Sequence, residues 1–311
     1  MIIGPGMTVA MVLLDAARQL SAADIENAAR EARLLVAMAT GLSQASLIAD
    51  PDQVMAPGAA ATLAALVERR KAHEPMSHLI GRRGFWTLEV EVGPAVLDPR
   101  PDSETLIEAA LDLFPDETAA LSVLDLGTGT GCLLLSVLGE RQQAWGVGVD
   151  RSPDALAVAA RNAVTAGLDA RARFVCGDWG QGVDGAFDLI LCNPPYIRSE
   201  AIESLAPEIV NFEPRLALDG GLSGFECYRA IAPDIARLLA VDGVAVVEAG
   251  AGQMDEIAVL FGAADLVLQD VRRDLGGIER AGVFCAIRRL LIAKKRGWKP
   301  RRSPLGCLQG E

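Results

Sequence analysis

Four consecutive residues, Asn193-Pro194-Pro195-Tyr196, combine the types needed to hold a planar amino group. Two adjacent prolines remove two backbone N–H donors and stiffen the chain. What remains is rich in acceptors, the Asn193 side-chain oxygen and the Pro194 carbonyl, which suits a target NH2 with two hydrogens to donate. An amide or exocyclic amino nitrogen shares its lone pair with a π-system and is a poor nucleophile. Two acceptors gripping its hydrogens favour pyramidalisation and raise the charge on nitrogen. The nitrogen must also lie in line with the bond to be broken, at near-attack distance. Tyr196 can stack on the planar target and face a cation. The scheme needs no histidine or cysteine base. Taken in isolation, Asn-Pro-Pro-Tyr is also an ordinary loop turn.

Upstream, residues 123–131 (Val-Leu-Asp-Leu-Gly-Thr-Gly-Thr-Gly) read as strand, glycine-rich turn and helix start. Gly127, Thr128, Gly129, Thr130 and Gly131 are candidate ligand-binding positions, because glycines let a backbone approach a ligand and turn sharply into a helix. A G-x-G-x-G run alone also fits a dinucleotide-binding protein. Here the spacing is not G-x-G-x-x-G and no Walker lysine follows, which favours S-adenosylmethionine. Asp150 ends the next strand, nineteen residues after Gly131, where a carboxylate can accept from both ribose hydroxyls. Asp178 follows the third strand and can accept from an adenine amino group, while the Trp179 indole can flank the ring. The plainer roles are a helix N-cap for Asp150, ahead of Ser152-Pro153, and a core indole for Trp179. Their order at successive strand ends favours binding.

Rigid elements must lie beneath these residues. Short apolar segments at 123–126, 146–149, 173–176, 189–192 and 244–248 alternate with helical stretches. That is the signature of an α/β fold, a parallel sheet with helices on both faces, whose ligands sit beyond the carboxyl ends of the strands. A helix at 254–261 precedes strands at 267–270 and 283–287, expected as an antiparallel pair closing the sheet edge. Residues from about 8 to 73 read as helices: apolar positions recur at helical spacing in Ala28-Ala29-Ala32-Leu35-Val36-Ala39, with Gly41 as a stop, and in Leu63-Leu66-Val67. Glu74-Pro75 breaks the pattern. Residues 85–92 alternate as a strand, Gly93-Pro94 is a turn and Val96-Leu97 a return, giving a hairpin between two domains. Ser103 is expected to cap a helix running to about Leu113.

The 311 residues, 51% of them apolar, suffice for one large or two modest domains with a sizeable core. Six cysteines stand at 132, 176, 192, 227, 285 and 307. None forms a C-x-x-C pair and no Cys/His cluster has metal spacing, so neither a disulfide framework nor a metal site is expected. Isolated cysteines in apolar runs read as core residues in a reducing, cytoplasmic setting. The net charge is -12, yet from residue 288 onward eight basic residues face one acid. The body is therefore more acidic than the total and a poor match to a phosphate backbone, so direct nucleic-acid binding is not expected. The basic tail can touch RNA or a ribosome; a frayed, solvated terminus is the favoured reading. Residues 1–75 hold six basic and eight acidic side chains and make no obvious nucleic-acid arm. Residues 1–14 are apolar but lack a charged leading segment, and Asp15 cuts the run, so no signal peptide or membrane span is expected. Met7 is an alternative start. A monomer is expected.

With these residues in view, the chain resembles the release factor glutamine methyltransferases (HemK/PrmC type) over most of residues 8–287. The resemblance rests on His73-Glu74-Pro75, Gly84-Phe85-Trp86, Arg100-Pro101-Asp102-Ser103-Glu104, the glycine loop, Asp178-Trp179, Asn193-Pro194-Pro195-Tyr196-Ile197, Phe212-Glu213-Pro214 with Leu216-Ala217-Leu218, and Asp219-Gly220-Gly221. It implies that Gly127 to Gly131, Asp150, Trp179 and Asn193 bind the cofactor, S-adenosyl-L-methionine. It implies that Asn193, Pro194, Pro195 and Tyr196 hold a substrate glutamine, with Asn193, Pro194 and Tyr196 in catalytic contact. The implied substrate is the glutamine of the Gly-Gly-Gln loop in peptide chain release factors, methylated at its side-chain nitrogen. The implied fold is a seven-stranded Rossmann-like methyltransferase sheet with a small helical N-terminal domain joined by a β-hairpin. Expected boundaries are 1–75 for a helical substrate-recognition domain, 76–102 for the hairpin linker, 103–289 for the catalytic domain and 290–311 for a disordered basic tail.

Phe85 is a further candidate for lining the glutamine pocket. Arg100 and Glu104 are candidates for ordering the hairpin, with structural salt bridging as the plainer role. Asp102-Ser103 stands where the family usually carries Glu-Thr, a swap that keeps charge and hydroxyl. Ala249 is a small residue at a variable site, and the tail after about 289 lies outside the resemblance. Other readings stay open. A DNA or RNA adenine-N6 methyltransferase poses the same chemical problem but needs a base-flipping pocket. A ribosomal-protein glutamine methyltransferase shares the chemistry with a different partner. A silent cofactor-binding scaffold would be suggested by an altered acceptor loop, which here is intact.

Overall fold

The computed structural model describes residue 3 and residues 6–289; the expected basic tail over 290–311 and Cys307 lie outside the described residues. Contacts divide the chain into two compact units. Residues up to 82, together with 206–212, form one; residues 83–205 and those from 213 onward form the other.

The first unit is helical: α1 (Val9–Ser21), α2 (Ala28–Thr40), α3 (Gln44–Ala49), α4 (Pro57–Lys71) and the short α5 (Met76–Ile80). Thr8 accepts the Met11 N–H and starts α1. Gly41, at φ 71°, ends α2. Pro57 sits in the first turn of α4, where a missing N–H costs nothing. The helical period brings Val12 and Leu20 of α1, Leu35 and Val36 of α2, and Leu63 and Val67 of α4 into one buried cluster.

A two-stranded hairpin, β1 (Arg82–Phe85) and β2 (Leu88–Glu91), begins at the boundary. This differs from the expected strand over 85–92 with a return at Val96-Leu97. The turn is Trp86-Thr87: Trp86 takes a left-handed φ of 53°, and its N–H donates to Glu104 Oε1 at 2.7 Å. Residues 93–98 form no strand. The alternation over 85–92 belongs to two strands that face each other across that turn.

The second unit holds a seven-stranded sheet: β3 (Ser122–Leu126), β4 (Trp145–Asp150), β5 (Ala172–Cys176), β6 (Phe187–Cys192), β7 (Leu239–Glu248), β8 (Leu266–Arg273) and β9 (Glu279–Ala286). Their order is β5-β4-β3-β6-β7-β9-β8. The first five run parallel; β9 lies antiparallel between β7 and β8. The expected pair at the edge is present, with longer strands than the sequence suggested. Strand β7 also starts earlier, because Asp242-Gly243, which looks like a turn, is absorbed by a register shift opposite Phe187 and Leu189.

Helices α6 (Glu104–Leu113), α7 (Cys132–Glu140), α8 (Pro153–Thr165), α10 (Glu226–Leu238) and α11 (Met254–Gly262) flank the sheet, and α9 (Pro207–Phe212) falls in the helical unit. There Arg70 reaches both Glu31, at 2.6 Å, and Glu208 of α9, at 3.1 Å. Alternation along the strands feeds two cores. Leu189, Leu191, Val244 and Val246 point to one, with Leu134 of α7 and Leu106 of α6. Ile190, Cys192, Ala245 and Val247 point to the other, with Ile231 of α10 and Ile257 of α11. The strand order reverses between β3 and β6, so the chain leaves a crevice beyond their carboxyl ends. Among the described residues no helix is long and apolar enough to cross a membrane.

Candidate active site

The crevice holds a cavity. Gly127, Gly129, Asp150, Asp178, Trp179 and Asn193 all line it, and Pro195 joins them. Each comes from the end of a strand or the loop behind it. Gly127, Gly129 and Gly131 carry φ values of 74°, 53° and 80°, which only glycine adopts without cost. The first two face the cavity. Gly131 instead caps α7 and packs on Ala159 and Leu135. A Cβ at Gly127 would lie 3.4 Å from the Trp179 ring, so backbone and indole meet closely.

Asp150 does not cap α8, since Ser152 does that by accepting the Ala155 N–H. One Asp150 oxygen accepts from Gly129 N–H and the other from Ser152 N–H, both at 2.9 Å. The carboxylate is thereby fixed beside the cavity with lone pairs still to offer. Thr128 and Thr130 are buried beneath the loop. The Thr128 hydroxyl donates to Asp125 Oδ2 at 2.6 Å, and Thr130 accepts the Cys132 N–H. They shape the loop and are absent from the cavity lining. Burial pushes the Asp125 carboxyl up to about 7, against the Thr128 hydrogen bond that holds it down.

Asn193-Pro194-Pro195-Tyr196 leaves the tip of β6, as expected. Gly220 N–H donates to Ile197 O at 2.8 Å and Ile197 N–H to Leu218 O at 3.1 Å. A Cβ at Gly220 would lie 2.7 Å from Tyr196 Cα, so Asp219-Gly220-Gly221 packs bare backbone against the acceptor loop. Gln253 Nε2 holds the Tyr196 carbonyl at 3.2 Å. Asn193 Nδ2 donates to Ser103 Oγ at 3.0 Å. Pro194 is buried.

Two expected roles are not where the structure puts the side chains. Phe85 is 1% exposed and belongs to the core cluster with Leu106 and Ile107. Its strand alternation turns it inward, so it does not line the cavity. Tyr196 packs against the second core cluster and directs its hydroxyl to Glu248 Oε1 at 3.4 Å. Burial and the Glu248 charge push that phenol up to about 12. Its ring does not contribute to the cavity lining. Ser103 also departs from expectation. It precedes α6 but makes no side-chain cap; its hydroxyl donates to Glu248 Oε2 at 2.5 Å. Arg100 pairs with buried Glu213 at 2.6 Å, the plainer salt-bridging role, whereas Glu104 accepts the Trp86 N–H and so orders the hairpin turn, its candidate role.

Sequence reasoning missed Glu248, Arg280 and Asp125. Glu248 is 1% exposed at the end of β7, and an acid closing the apolar run 244–247 was the available signal. Arg280, on β9, binds Asp102 at 3.1 Å and Asp274 at 3.0 Å.

Family models match in two places. The PrmC N-terminal domain covers residues 12–81 and the methyltransferase small domain covers residues 103–222. The release factor glutamine methyltransferase of Rhodospirillum rubrum is 43% identical over 289 residues, which is 93% of this chain and 86% of that protein. The chain belongs to the release factor glutamine methyltransferase family. The family member from Caulobacter vibrioides is 43% identical over 263 residues, 84% of this chain and 91% of that protein. That from Agrobacterium fabrum is 38% identical over 284 residues, 90% of this chain and 98% of that protein. The alignment with the family thus runs through both units and includes the hairpin, the glycine loop and the acceptor loop.

Proposed function

We propose that the protein transfers a methyl group from S-adenosyl-L-methionine to the side-chain amide nitrogen of the glutamine in the Gly-Gly-Gln loop of a peptide chain release factor. One observation carries this reading: a single cavity is lined both by the nucleoside-type acceptors Asp150 and Asp178 and by the acceptor-loop residues Asn193 and Pro195. Donor and acceptor substrates can therefore meet in one crevice.

The residues fit the cofactor. Asp150 is oriented by two backbone N–H groups to accept from ribose hydroxyls. Asp178 offers a carboxylate to an adenine amino group, and Trp179 a flat apolar wall beside the bare backbone of Gly127. S-adenosylmethionine supplies a methyl group on a positively charged sulfur, open to attack by a nitrogen aligned behind it. The chain does the rest. Asn193 Oδ1 and the Pro194 carbonyl accept the two hydrogens of the target NH2 and turn its lone pair towards the methyl group. Pro194 and Pro195 keep competing donors out of this grip. Tyr196, held at its hydroxyl by Glu248 and at its carbonyl by Gln253, keeps the loop in place. The helical unit recognises the release factor. A monomer in the cytoplasm completes the reading; the free cysteines Cys132, Cys176, Cys192, Cys227 and Cys285 suit a reducing compartment.

Radiolabelled S-adenosylmethionine tests it, offered with a purified release factor, the same factor with its loop glutamine changed to alanine, a ribosomal protein, and adenine-containing DNA. Label in the intact release factor alone supports the proposal. Label in the ribosomal protein or DNA alone replaces it with the corresponding reading.

A further inference from the structure

A buried polar chain lies behind Asn193. Asn193 Nδ2 donates to Ser103 Oγ, and the Ser103 hydroxyl donates to Glu248 Oε2. Ser103 is 3% exposed and Glu248 1%. A hydroxyl has one hydrogen. Once it is given to a carboxylate, which only accepts, the serine oxygen keeps a lone pair that an N–H must fill. The Asn193 amide is therefore held with its nitrogen inward, and Oδ1 is the atom left for the cavity.

We infer that Ser103 and Glu248 are positioning residues: ionised Glu248, acting through the Ser103 hydroxyl, fixes the Asn193 amide so that its oxygen meets the target NH2. This rests on the reading of Asn193 as a holder of the target amide. A flipped Asn193 would set its own two hydrogens against those of the target. A proton on Glu248 permits that flip, because the acid can then donate to Ser103, and Ser103 to Asn193 Oδ1.

The surroundings of Glu248 bear on its charge. Tyr196 reaches it from the acceptor loop. The Tyr228 hydroxyl of α10 donates to its backbone carbonyl at 3.0 Å. Arg280 of β9 favours the carboxylate, and Asp102, just before α6, opposes it. The Cys192 thiol, at the end of β6, is itself held up by burial and by nearby acids including Glu248; the Cys132 thiol on α7 behaves likewise. Burial dominates and lifts Glu248 to about 7, with Ser103 and Arg280 pulling the other way. The two hydrogen-bond directions thus exchange near neutrality. The Asp102-Ser103 departure from Glu-Thr keeps the one group this chain requires, a hydroxyl.

The test compares the full-length enzyme with Ser103→Ala, Ser103→Thr, Glu248→Gln and Asn193→Ala. Three quantities are read: turnover against pH, cofactor affinity by calorimetry, and hydrogen exchange of the Asn193 side-chain NH2 by NMR of asparagine-labelled protein. Ser103→Ala is expected to lower turnover about ten- to a hundredfold, with cofactor affinity within about threefold and faster NH2 exchange. Ser103→Thr restores most of the turnover and the slow exchange. Wild-type turnover is expected to rise with pH through about 7, where Glu248 ionises, and Glu248→Gln to lose that step. Wild-type turnover and exchange in Ser103→Ala, equal losses in Ser103→Ala and Ser103→Thr, or an unchanged pH step in Glu248→Gln would each overturn the inference. Undiminished turnover in Asn193→Ala would instead remove the reading beneath it.

Discussion

Gly148→Ala probes how the sheet supports the cofactor loop. Gly148 sits mid-strand in β4, paired with Asp125 on one side and Phe174 on the other. An added Cβ would lie 2.7 Å from Thr128 Oγ1 and 2.8 Å from Phe174 Cδ1. Thr128 cannot swing away cheaply. Its hydroxyl is bonded to Asp125, and its N–H donates to Val149 O at 2.9 Å. Overpacking of this kind costs ~1–3 kcal/mol, less the ~0.4–1 kcal/mol that alanine recovers by restricting the unfolded chain. A net loss of about 1–2 kcal/mol lowers Tm by about 2–8 °C for a unit of this size. Because the displaced residue belongs to the glycine loop, cofactor affinity falls by roughly tenfold, equivalent to ~1.4 kcal/mol. Scanning calorimetry of the free protein and titration calorimetry with S-adenosylmethionine measure both effects. Gly139→Ala is the control. It is exposed in α7, meets no atom within 4 Å, and is expected to raise stability by ~0.5–1 kcal/mol. Unchanged Tm and cofactor affinity in Gly148→Ala would refute the packing argument.

Asn193→Ala is expected to leave cofactor affinity within about tenfold and to cut turnover on the order of a hundredfold or more, as for loss of a transition-state hydrogen bond; steady-state kinetics with calorimetry separate the two. Asp150→Ala frees the Gly129 and Ser152 N–H groups and is expected to weaken cofactor binding about ten- to a hundredfold, with turnover at saturating cofactor changed far less. The cofactor-free protein is expected to lose stability as pH rises from about 4 to about 7. Folded Asp125 keeps its proton up to about 7, where an unfolded aspartate has already lost it. Its contribution is therefore complete below the unfolded value and gone above the folded one. Urea midpoints across this range should show a shallower fall for Asp125→Asn. Some slope remains, since Glu248 titrates in the same window.

The central architecture was legible because it is written locally. Apolar segments alternating with amphipathic ones announced the parallel sheet. The glycine loop, Asp150, Asp178 and Asn193 each stood where a strand had to end. What escaped depends on distant partners. Ser103 reads as a helix cap from its neighbours, yet its hydroxyl is claimed by Glu248, 145 positions along the chain. Phe85 ends the first strand of the hairpin, and strand alternation decides which way it faces: it faces the core. The hairpin turn at Trp86-Thr87 contains no glycine or proline and is stabilised by Glu104, so local turn chemistry could not reveal it. Segment 206–212 lies between stretches of the sheet-bearing unit and yet belongs to the helical one, where Arg70 holds Glu208. Gly148 looked like any small strand residue; only the register with β3 and β5 shows that a methyl group has no room there.

The most direct measurement is fragment-ion mass spectrometry of a release factor after incubation with this enzyme and S-adenosylmethionine. One methyl group on the side-chain nitrogen of the Gly-Gly-Gln glutamine, formed on the order of a hundredfold more slowly when Asn193→Ala replaces the wild type, is the result expected. A methyl group on any other residue, or an unmodified loop beside methylated nucleic acid, would contradict it.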